Sequence, residues 1–238
     1  MENEGTAIAL VLAGGTGRRM GRPKQFIELL GVPALQYTLR AFEECSEVAR
    51  IYTVGDGTKI EDLARRAGVS KYVTCAEPGE FRTFSTRNGL LLCEEDPETI
   101  VLVHDGSRCL VTPDLIRRVV EAAIEPDGPD GVVPGVAVSD TIKVARDGTV
   151  SDTLDRTNLW AIQTPQAFRL GLLRRLHDLP EEHLHAATDD ASLVERDGGR
   201  VEVVAGEQSN IKLTSPEDLV FAEAILAARE GASHEVWP

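Results

Sequence analysis

The stretch AIALVLAGGTGRRMGRPK, residues 7–24, decides how the rest of the chain is interpreted. Its first seven residues are apolar and lead at once into glycines, which is typical of a buried strand that ends in a loop. Such a loop lets backbone N–H groups curl around an anion. Between Arg18 and Lys24 there are four basic residues and no acid. The stretch therefore predicts a phosphate-binding loop, with a solvated basic turn as the alternative.

This loop matches neither of two common phosphate-binding motifs. Met20 stands where the dinucleotide-binding pattern Gly-x-Gly-x-x-Gly requires its last glycine, and no Gly-Lys-Ser/Thr sequence follows. The loop alone indicates an anion rather than a particular nucleotide.

The composition argues against several classes of protein. A net charge of −14 argues against a nucleic-acid surface, since phosphate backbones are bound by surplus Lys and Arg. The four cysteines are scattered, which suits neither a zinc site nor a disulfide scaffold, so we expect a cytoplasmic location. No apolar run approaches the ~18 residues of a membrane span, and we expect no membrane partner.

Short apolar runs alternate with helical patterns along the chain. Residues 50–54 and 101–103 indicate strands, residues 35–42 carry apolar side chains at helical spacing, and Thr112-Pro113 indicates a helix start. This alternation predicts an α/β fold with a mostly parallel sheet. The carboxyl ends of its strands then meet at one edge, where ligands bind.

Residues 141–154 interrupt this alternation of strands and helices. Two polar segments flank Arg146-Asp147-Gly148, which predicts a hairpin around an Asp-Gly turn. Because the hairpin has few core residues, we expect it to project from the body. We therefore expect one domain over residues 1–238, with an arm at about 139–158.

Asp105 ends an apolar strand at the predicted functional edge. An acid there is a common way to hold a metal or a ribose, although an N-cap or turn role is equally open. We predict that His104 is a hydrogen-bonded strand-end residue rather than a base. We place His177, His183 and His185 at the surface.

Further polar clusters follow downstream. Thr188-Asp189-Asp190 indicates a helix start, and we expect Asn210-Ile211-Lys212 to end the last strand. Taken singly, each cluster also fits a helix cap or a solvated strand end.

Taken together, the motifs resemble one family. Their order is the glycine-rich basic loop, Gly79-x-x-Arg82-x-x-Ser85, His104-Asp105-x-x-Arg108, Asp140-Thr141, Asp155-Arg156, Gln163-Thr164-Pro165-Gln166, Thr188-Asp189 and Asn210-Ile211-Lys212. This order resembles the 2-C-methyl-D-erythritol 4-phosphate cytidylyltransferases of the non-mevalonate isoprenoid pathway. The resemblance runs from about Ala7 to Arg229.

The resemblance implies a Rossmann-like, mostly parallel sheet of nucleotidyltransferase type, with a hairpin arm that joins a homodimer. It implies transfer of CMP from CTP to the polyol phosphate, with Mg²⁺ beside Asp105. The catalytic residues that it implies are Arg19, Lys24 and Lys212. The nucleotide-binding residues are Ala13, Gly14, Gly15, Thr16, Gly17, Gly79, Arg82, Ser85 and Asp105. The acceptor-binding residues are Arg108, Thr141, Arg156, Thr164, Thr188 and Asp189.

The chain departs from the family pattern near these residues. Gly106-Ser107 replaces the usual pair of alanines, Cys109 replaces a proline, and Phe84 replaces an acid. We expect the glycine to loosen the loop beside Arg108.

Two alternatives therefore stay open, a cytidylyltransferase for another acceptor, such as ribitol 5-phosphate or a phosphonate, and a non-catalytic nucleotide-binding protein. Asp155-Arg156 and Trp160 favour methylerythritol phosphate over the first. Retention of Arg19, Lys24, Asp105 and Lys212 together argues against the second.

Overall fold

The computed structural model describes residues 6–15, 17, 21, 23–125 and 127–232. Its strands are β1 (Ala7–Leu12), β2 (Glu28–Leu29), β3 (Val32–Pro33), β4 (Val48–Val54), β5 (Tyr72–Ala76), β6 (Ile100–Asp105), β7 (Gly131–Ala137), β8 (Lys143–Arg146), β9 (Thr149–Thr153), β10 (Trp160–Ile162), β11 (Gln166–Arg169) and β12 (Val201–Ala205). Its α-helices are α1 (Ala34–Glu44), α2 (Gly57–Ala67), α3 (Arg82–Leu90), α4 (Pro113–Ala123), α5 (Leu170–His177), α6 (Glu181–His185), α7 (Ala191–Arg196) and α8 (Glu217–Ala232).

One sheet of eight strands organises these elements, in the order β10-β7-β11-β6-β1-β4-β5, with β12 paired to β7. Strand β1 runs parallel to β4 and β6, and Leu12 lies level with Val54 on one side and Asp105 on the other. Strands β10 and β11 run antiparallel to β7. The predicted α/β fold with a mostly parallel sheet is confirmed, and its central strands end at the same level.

Alternate side chains of β1 belong to two different cores, as the two-residue period of a strand requires. Ala7, Ala9 and Val11 pack with residues of α1, α2 and α4 on one face of the sheet. Ile8 and Leu10 pack with residues of α3, α5 and α7 on the other. Because both faces are covered, β1 is apolar throughout, as strands of buried parallel sheets are.

Side-chain caps mark two helix starts, and the start predicted at Thr112-Pro113 is confirmed. Thr112 Oγ1 accepts a hydrogen bond from the backbone N–H of Leu115 at 3.1 Å, and Pro113 is the first residue of α4. Asp218 Oδ2 accepts from the backbone N–H of Ser215 at 2.7 Å, which is the reciprocal half of a capping box. Among the described residues, no helix has the length and apolarity needed to cross a membrane.

The predicted hairpin is present as a separate two-stranded sheet of β8 and β9. Every residue of both strands is exposed. Asp147 and Gly148 have φ angles of 49° and 77°, the left-handed conformations that a tight primed turn demands. The local Asp-Gly signal therefore predicted the hairpin correctly.

The predicted end of the last strand is wrong. Strand β12 ends at Ala205, and residues 206–214 form a loop that leads towards α8. Asn210 is fully buried there, and its side-chain N–H group donates to the carbonyl of Thr164 at 3.0 Å. The backbone N–H of Leu213 donates to Ser107 O at 2.9 Å. These tertiary bonds, rather than a sheet ladder, bring Lys212 to the carboxyl edge.

Candidate active site

A cleft of about 600 Å³ opens at the carboxyl ends of β1 and β6 and the start of α3. Ten of the predicted residues line it, namely Ala13, Gly14, Gly15, Gly17, Lys24, Gly79, Arg82, Ser85, Asp105 and Lys212. The predictions for Thr16 and Arg19 lie outside the described residues. Residues distant in sequence therefore meet where strand-end ligands are expected.

Backbone packing accounts for two of these glycines. A Cβ atom on Gly14 would lie 2.4 Å from the Cβ atom of Pro78. A Cβ atom on Gly79 would lie 2.4 Å from the Cβ atom of Phe84 and 2.9 Å from the backbone nitrogen of Ser85. Only glycine fits either position without displacing its neighbours, so the two loops can approach closely across the cleft.

Ser85 and Gln25 fix these loops. Ser85 Oγ accepts from the backbone N–H of Gly79 at 3.1 Å and donates to Phe81 O at 3.2 Å. The buried Gln25 donates through Nε2 to Ala13 O at 2.6 Å. Gln25 was not predicted, because only its position beside Lys24 marks it in the sequence.

Asp105 is the electrostatic centre of the cleft. Arg82 Nε lies 2.9 Å from its Oδ1, and Lys212 Nζ lies 2.6 Å from its Oδ2. Burial favours the neutral acid, but the two cations outweigh that effect and hold the pKa of Asp105 well below its usual range. The carboxylate is therefore anionic at neutral pH, and 11% of its side-chain surface is exposed.

Arg82 also pairs with a second carboxylate. Its Nη1 lies 2.5 Å from Oδ2 of Asp190, whose side chain is fully buried. Asp190 Oδ1 lies 3.0 Å from Nε2 of His177. Burial opposes ionisation of Asp190, but Arg82 and His177 reverse that effect and lower its pKa to about 2.

The prediction that His177 lies at the surface is wrong, whereas His183 and His185 are exposed. His177 ends α5, and its ring is buried against Asp190 because the chain turns back towards α3 at that point. Nothing in the local sequence distinguishes it from the two exposed histidines.

His104 is hydrogen-bonded at the strand end, as predicted. Its Nε2 donates to the carbonyl of Arg108 at 3.1 Å, so Nδ1 accepts from the hydroxyl of Thr164, also at 3.1 Å. The same Thr164 hydroxyl accepts from the backbone N–H of Asp105 at 3.1 Å. These bonds specify a neutral imidazole, and burial lowers the pKa of His104 to about 4.

The predicted acceptor residues lie outside the lining of the described cleft. Arg108 donates to Asn210 O at 2.8 Å, and Asp189 accepts from Gln166 Nε2 at 2.7 Å. Thr164 is buried behind Asp105, and Thr188 is exposed before α7. Thr141 and Arg156 are exposed near the base of the arm. The chain therefore brings four of the six near one end of the sheet and leaves two on the arm.

The residues of the cleft fit a magnesium ion that is shared with a nucleotide. No group of three or more His, Cys, Asp or Glu residues in the described chain forms a metal cage. Mg²⁺ commonly uses one or two carboxylates and completes its shell with water and substrate phosphates. Asp105 is ionised at the cleft surface, and a carboxylate offers more lone pairs than Arg82 and Lys212 occupy.

Comparison with known proteins agrees with this geometry. The family model for IspD, 2-C-methyl-D-erythritol 4-phosphate cytidylyltransferase, matches residues 7–228. The chain belongs to this family. A relative of that name from Rubrobacter xylanophilus is 67% identical over 94% of this chain and 96% of its own length. A second, from Geobacillus kaustophilus, is 43% identical over 93% and 97%.

A solved structure extends the likeness to three dimensions. The 4-diphosphocytidyl-2C-methyl-D-erythritol synthase from Anaerococcus prevotii superimposes with a TM-score of 0.78 at 31% identity, over 93% of this chain and 96% of that one. The IspD-type fold is therefore present, and the chain spans nearly the full length of these relatives.

Phe84, where this IspD chain departs from the family pattern, belongs to an aromatic cluster. Its ring contacts Phe81 and His185 edge-on, with centroids 5.8 and 5.1 Å away, and the guanidinium of Arg87 lies 4.8 Å from its centroid. Phe84 is buried, whereas Phe81 lines the cleft. The substitution thus adds apolar packing behind one wall of the cleft and leaves the charged residues in place.

The depressed pKa of His104 predicts how stability depends on pH. An unfolded histidine titrates near pH 6.5, whereas folded His104 titrates at about 4. Between these values the unfolded chain binds more protons, so stability falls as pH falls. Going from about pH 7.5 to about pH 5 should cost about 2 kcal/mol through His104 alone.

Urea unfolding at the two pH values measures this cost. His104→Gln should remove about 2 kcal/mol of the pH dependence, whereas His183→Gln, at an exposed histidine, should leave it unchanged. Equal pH dependence in the chain and in His104→Gln would contradict the assignment.

Proposed function

We propose that this chain transfers CMP from CTP to 2-C-methyl-D-erythritol 4-phosphate and releases pyrophosphate. The observation that carries the proposal is the meeting of the glycine loop with Lys24, Lys212 and Asp105 in one cleft. Membership of the IspD family supplies the reaction and the acceptor.

The chemistry needs charge neutralisation more than proton transfer. A phosphate oxygen of the acceptor attacks the α-phosphorus of CTP, a new P–O bond forms, and pyrophosphate leaves in line. Because the attacking phosphate is already anionic at neutral pH, no general base is required. We assign Lys24, Lys212 and Arg19 to the developing negative charge, where preorganised cations stabilise the transition state.

The remaining cleft residues are assigned to CTP itself. Ala13, Gly14, Gly15, Thr16 and Gly17 would surround the nucleotide, and Gly79 and Ser85 would face it from the other wall. Arg82 lines the cleft and would add positive charge beside the phosphates. Asp105 would hold Mg²⁺, which supplies charge neutralisation at the phosphates when it is bound.

Lys212→Ala tests the role of the cleft cations. Loss of one preorganised donor should lower kcat/KM by about 100-fold or more, equivalent to about 3 kcal/mol. Steady-state pyrophosphate release with CTP and Mg²⁺ measures the change. Lys59→Ala is the matched control, since Lys59 also pairs with an aspartate, Asp56, at 2.7 Å but lies outside the lining of the cleft. Most of the activity surviving in folded Lys212→Ala would refute the assignment.

The acceptor is assigned to Arg108, Thr164, Thr188 and Asp189, together with Thr141 and Arg156. Two guanidinium groups suit a phosphate dianion, and the hydroxyl groups and the acid suit a chain of alcohols. Arg108 lies in the loop that directly follows Asp105 at the end of β6, so a phosphate that it binds would lie near the nucleotide.

An acceptor series tests the specificity. We expect 2-C-methyl-D-erythritol 4-phosphate to give the highest kcat/KM with CTP and Mg²⁺. Ribitol 5-phosphate, erythritol 4-phosphate and a hydroxyalkyl phosphonate should each be poorer under the same conditions. If one of them is used about tenfold better, the acceptor is wrong and the reaction class remains. Absence of pyrophosphate release with every acceptor would favour a non-catalytic nucleotide-binding protein.

We also propose that the arm pairs two subunits. Its exposed strands cannot bury apolar surface within one chain, and Trp160 and Ile162 on the adjacent strand β10 are exposed as well. Val203, also exposed, lies beside them around Gly135. A second subunit on this surface would bring its Thr141 and Arg156 to an acceptor site, which explains why these residues are remote from the cleft of their own chain.

Subunit mixing tests this arrangement. Arg156→Ala and Lys24→Ala chains should each be weakly active, and a mixed dimer should recover activity because one of its two sites keeps both residues. Arg146→Ala, at the tip of the arm, is the control and should stay active. A monomer in sedimentation at assay concentration, or no recovery after proven exchange, would contradict the proposal.

We propose, finally, that residues 1–238 form one domain and that it works in the cytoplasm. Continuity of the eight-stranded sheet from β1 to β12 supports the first statement. The four cysteines, all within the described residues and none in a disulfide, support the second.

A further inference from the structure

We propose that Asp190 and His177 are positioning residues, which orient Arg82 and through it the carboxylate of Asp105. The proposal rests on the proposed function, since it assumes that Asp105 serves a metal-bound nucleotide. Asp190 and His177 do not line the cleft of the described chain, so they act through Arg82.

A continuous series of contacts links these residues. His177 Nε2 lies 3.0 Å from Asp190 Oδ1, Asp190 Oδ2 lies 2.5 Å from Arg82 Nη1, and Arg82 Nε lies 2.9 Å from Asp105 Oδ1. The guanidinium is planar and presents its donors at fixed angles. Two carboxylates bound to different nitrogen atoms therefore fix its orientation, and Asp105 is held in turn.

Burial makes the pair weak evidence for a general stabilising role. The side chains of Asp190 and His177 are 0% and 1% exposed, in a region otherwise filled by apolar residues of α5 and α7. A buried carboxylate is seldom more stabilising than an apolar side chain of similar volume, because the charge loses its hydration. Its position directly behind a cleft residue indicates a geometric role instead.

The series also joins the two halves of the site. Asp190 follows Thr188 and Asp189, the residues assigned to the acceptor, and precedes α7. Gln166 holds the same segment, because its Nε2 donates to Asp189 and its Oε1 accepts from the backbone N–H of Ala191 at 3.3 Å. A shift of residues 188–190 relative to Asp105 would break the bridge through Arg82. The bridge thus keeps the nucleophile aligned with the metal-bound phosphates, which in-line transfer requires.

Asp190→Asn tests the proposal, with Mn²⁺ as the probe. The asparagine keeps the shape but removes the charge that holds Arg82. We expect Mn²⁺ affinity in the presence of CTP, measured by electron paramagnetic resonance, to fall by about tenfold or more, as with other outer-shell changes. The kcat for pyrophosphate release should fall by a similar factor, with less than about a threefold change in the KM for CTP.

Asp197→Asn is the matched control. Asp197 follows the other end of α7 and forms an Arg–Asp pair with Arg175 at 2.7 Å, remote from the cleft. The substitution Asp197→Asn should leave Mn²⁺ affinity and kcat within about twofold of the unaltered chain, since exposed ion pairs contribute little to stability. Unchanged Mn²⁺ affinity and kcat in folded Asp190→Asn would overturn the proposal.

A second pair of variants applies if Asp190→Asn does not fold. His177→Gln keeps an N–H donor for Asp190, and His177→Leu removes it. We expect the glutamine to retain Mn²⁺ affinity and kcat, and the leucine to lower both. Equal values in the two would overturn the proposal, as would a failure of the unaltered chain to bind Mn²⁺ with CTP. If the unaltered chain binds Mn²⁺ but does not use methylerythritol phosphate, the acceptor fails while the Mn²⁺ measurements still decide the role of Asp190.

Discussion

The site depends on one constraint, a carboxylate that must stay ionised while it is largely buried at the end of a central strand. Asp105 satisfies it because two cations reach it from different parts of the chain, Arg82 from the start of α3 and Lys212 from the loop after β12. Neither cation could be removed without leaving a buried charge poorly compensated. The fold therefore has to deliver a helix start and a long loop to the same strand end, and the level endings of β1, β4 and β6 provide the place.

The histidine that precedes Asp105 carries no charge. His104 is held as an uncharged imidazole between Thr164 and the carbonyl of Arg108, so this ring adds no positive charge beside the carboxylate. Thr164 also binds the backbone N–H of Asp105, which ties strand β6 to residues 163–166. Thr164 thus fixes the backbone of Asp105, and Arg82 fixes its side chain. This division explains how the carboxylate can be both rigid and available to a metal ion.

Local signals account for what could be predicted from the sequence. The apolar run and glycines of residues 7–17, the Asp-Gly turn of the arm and the cap at Thr112 each lie within a few neighbouring residues. The contacts that the sequence did not predict join residues that are far apart along the chain. Asp190 joins Arg82 across 108 positions of sequence, and the loop that carries Lys212 has no periodic pattern. Residue types predicted which side chains belong to the cleft, but only packing reveals how each one is held.

The loop beside Arg108 shows why a departure from the family pattern need not change the site. The sequence predicts that glycine at position 106 loosens this loop. The backbone N–H of Gly106 nevertheless donates to Leu12 O at 2.9 Å, and that of Arg108 donates to Asp105 O at 2.9 Å. A Cβ atom on Gly106 would lie 3.0 Å from Leu12 O and 3.3 Å from Leu35 Cδ1. Glycine therefore permits the close approach of residue 106 to the end of β1, and the hydrogen bond to Leu12 O holds the backbone there. The backbone is therefore held on both sides of Ser107, and the loop that carries Arg108 has little slack.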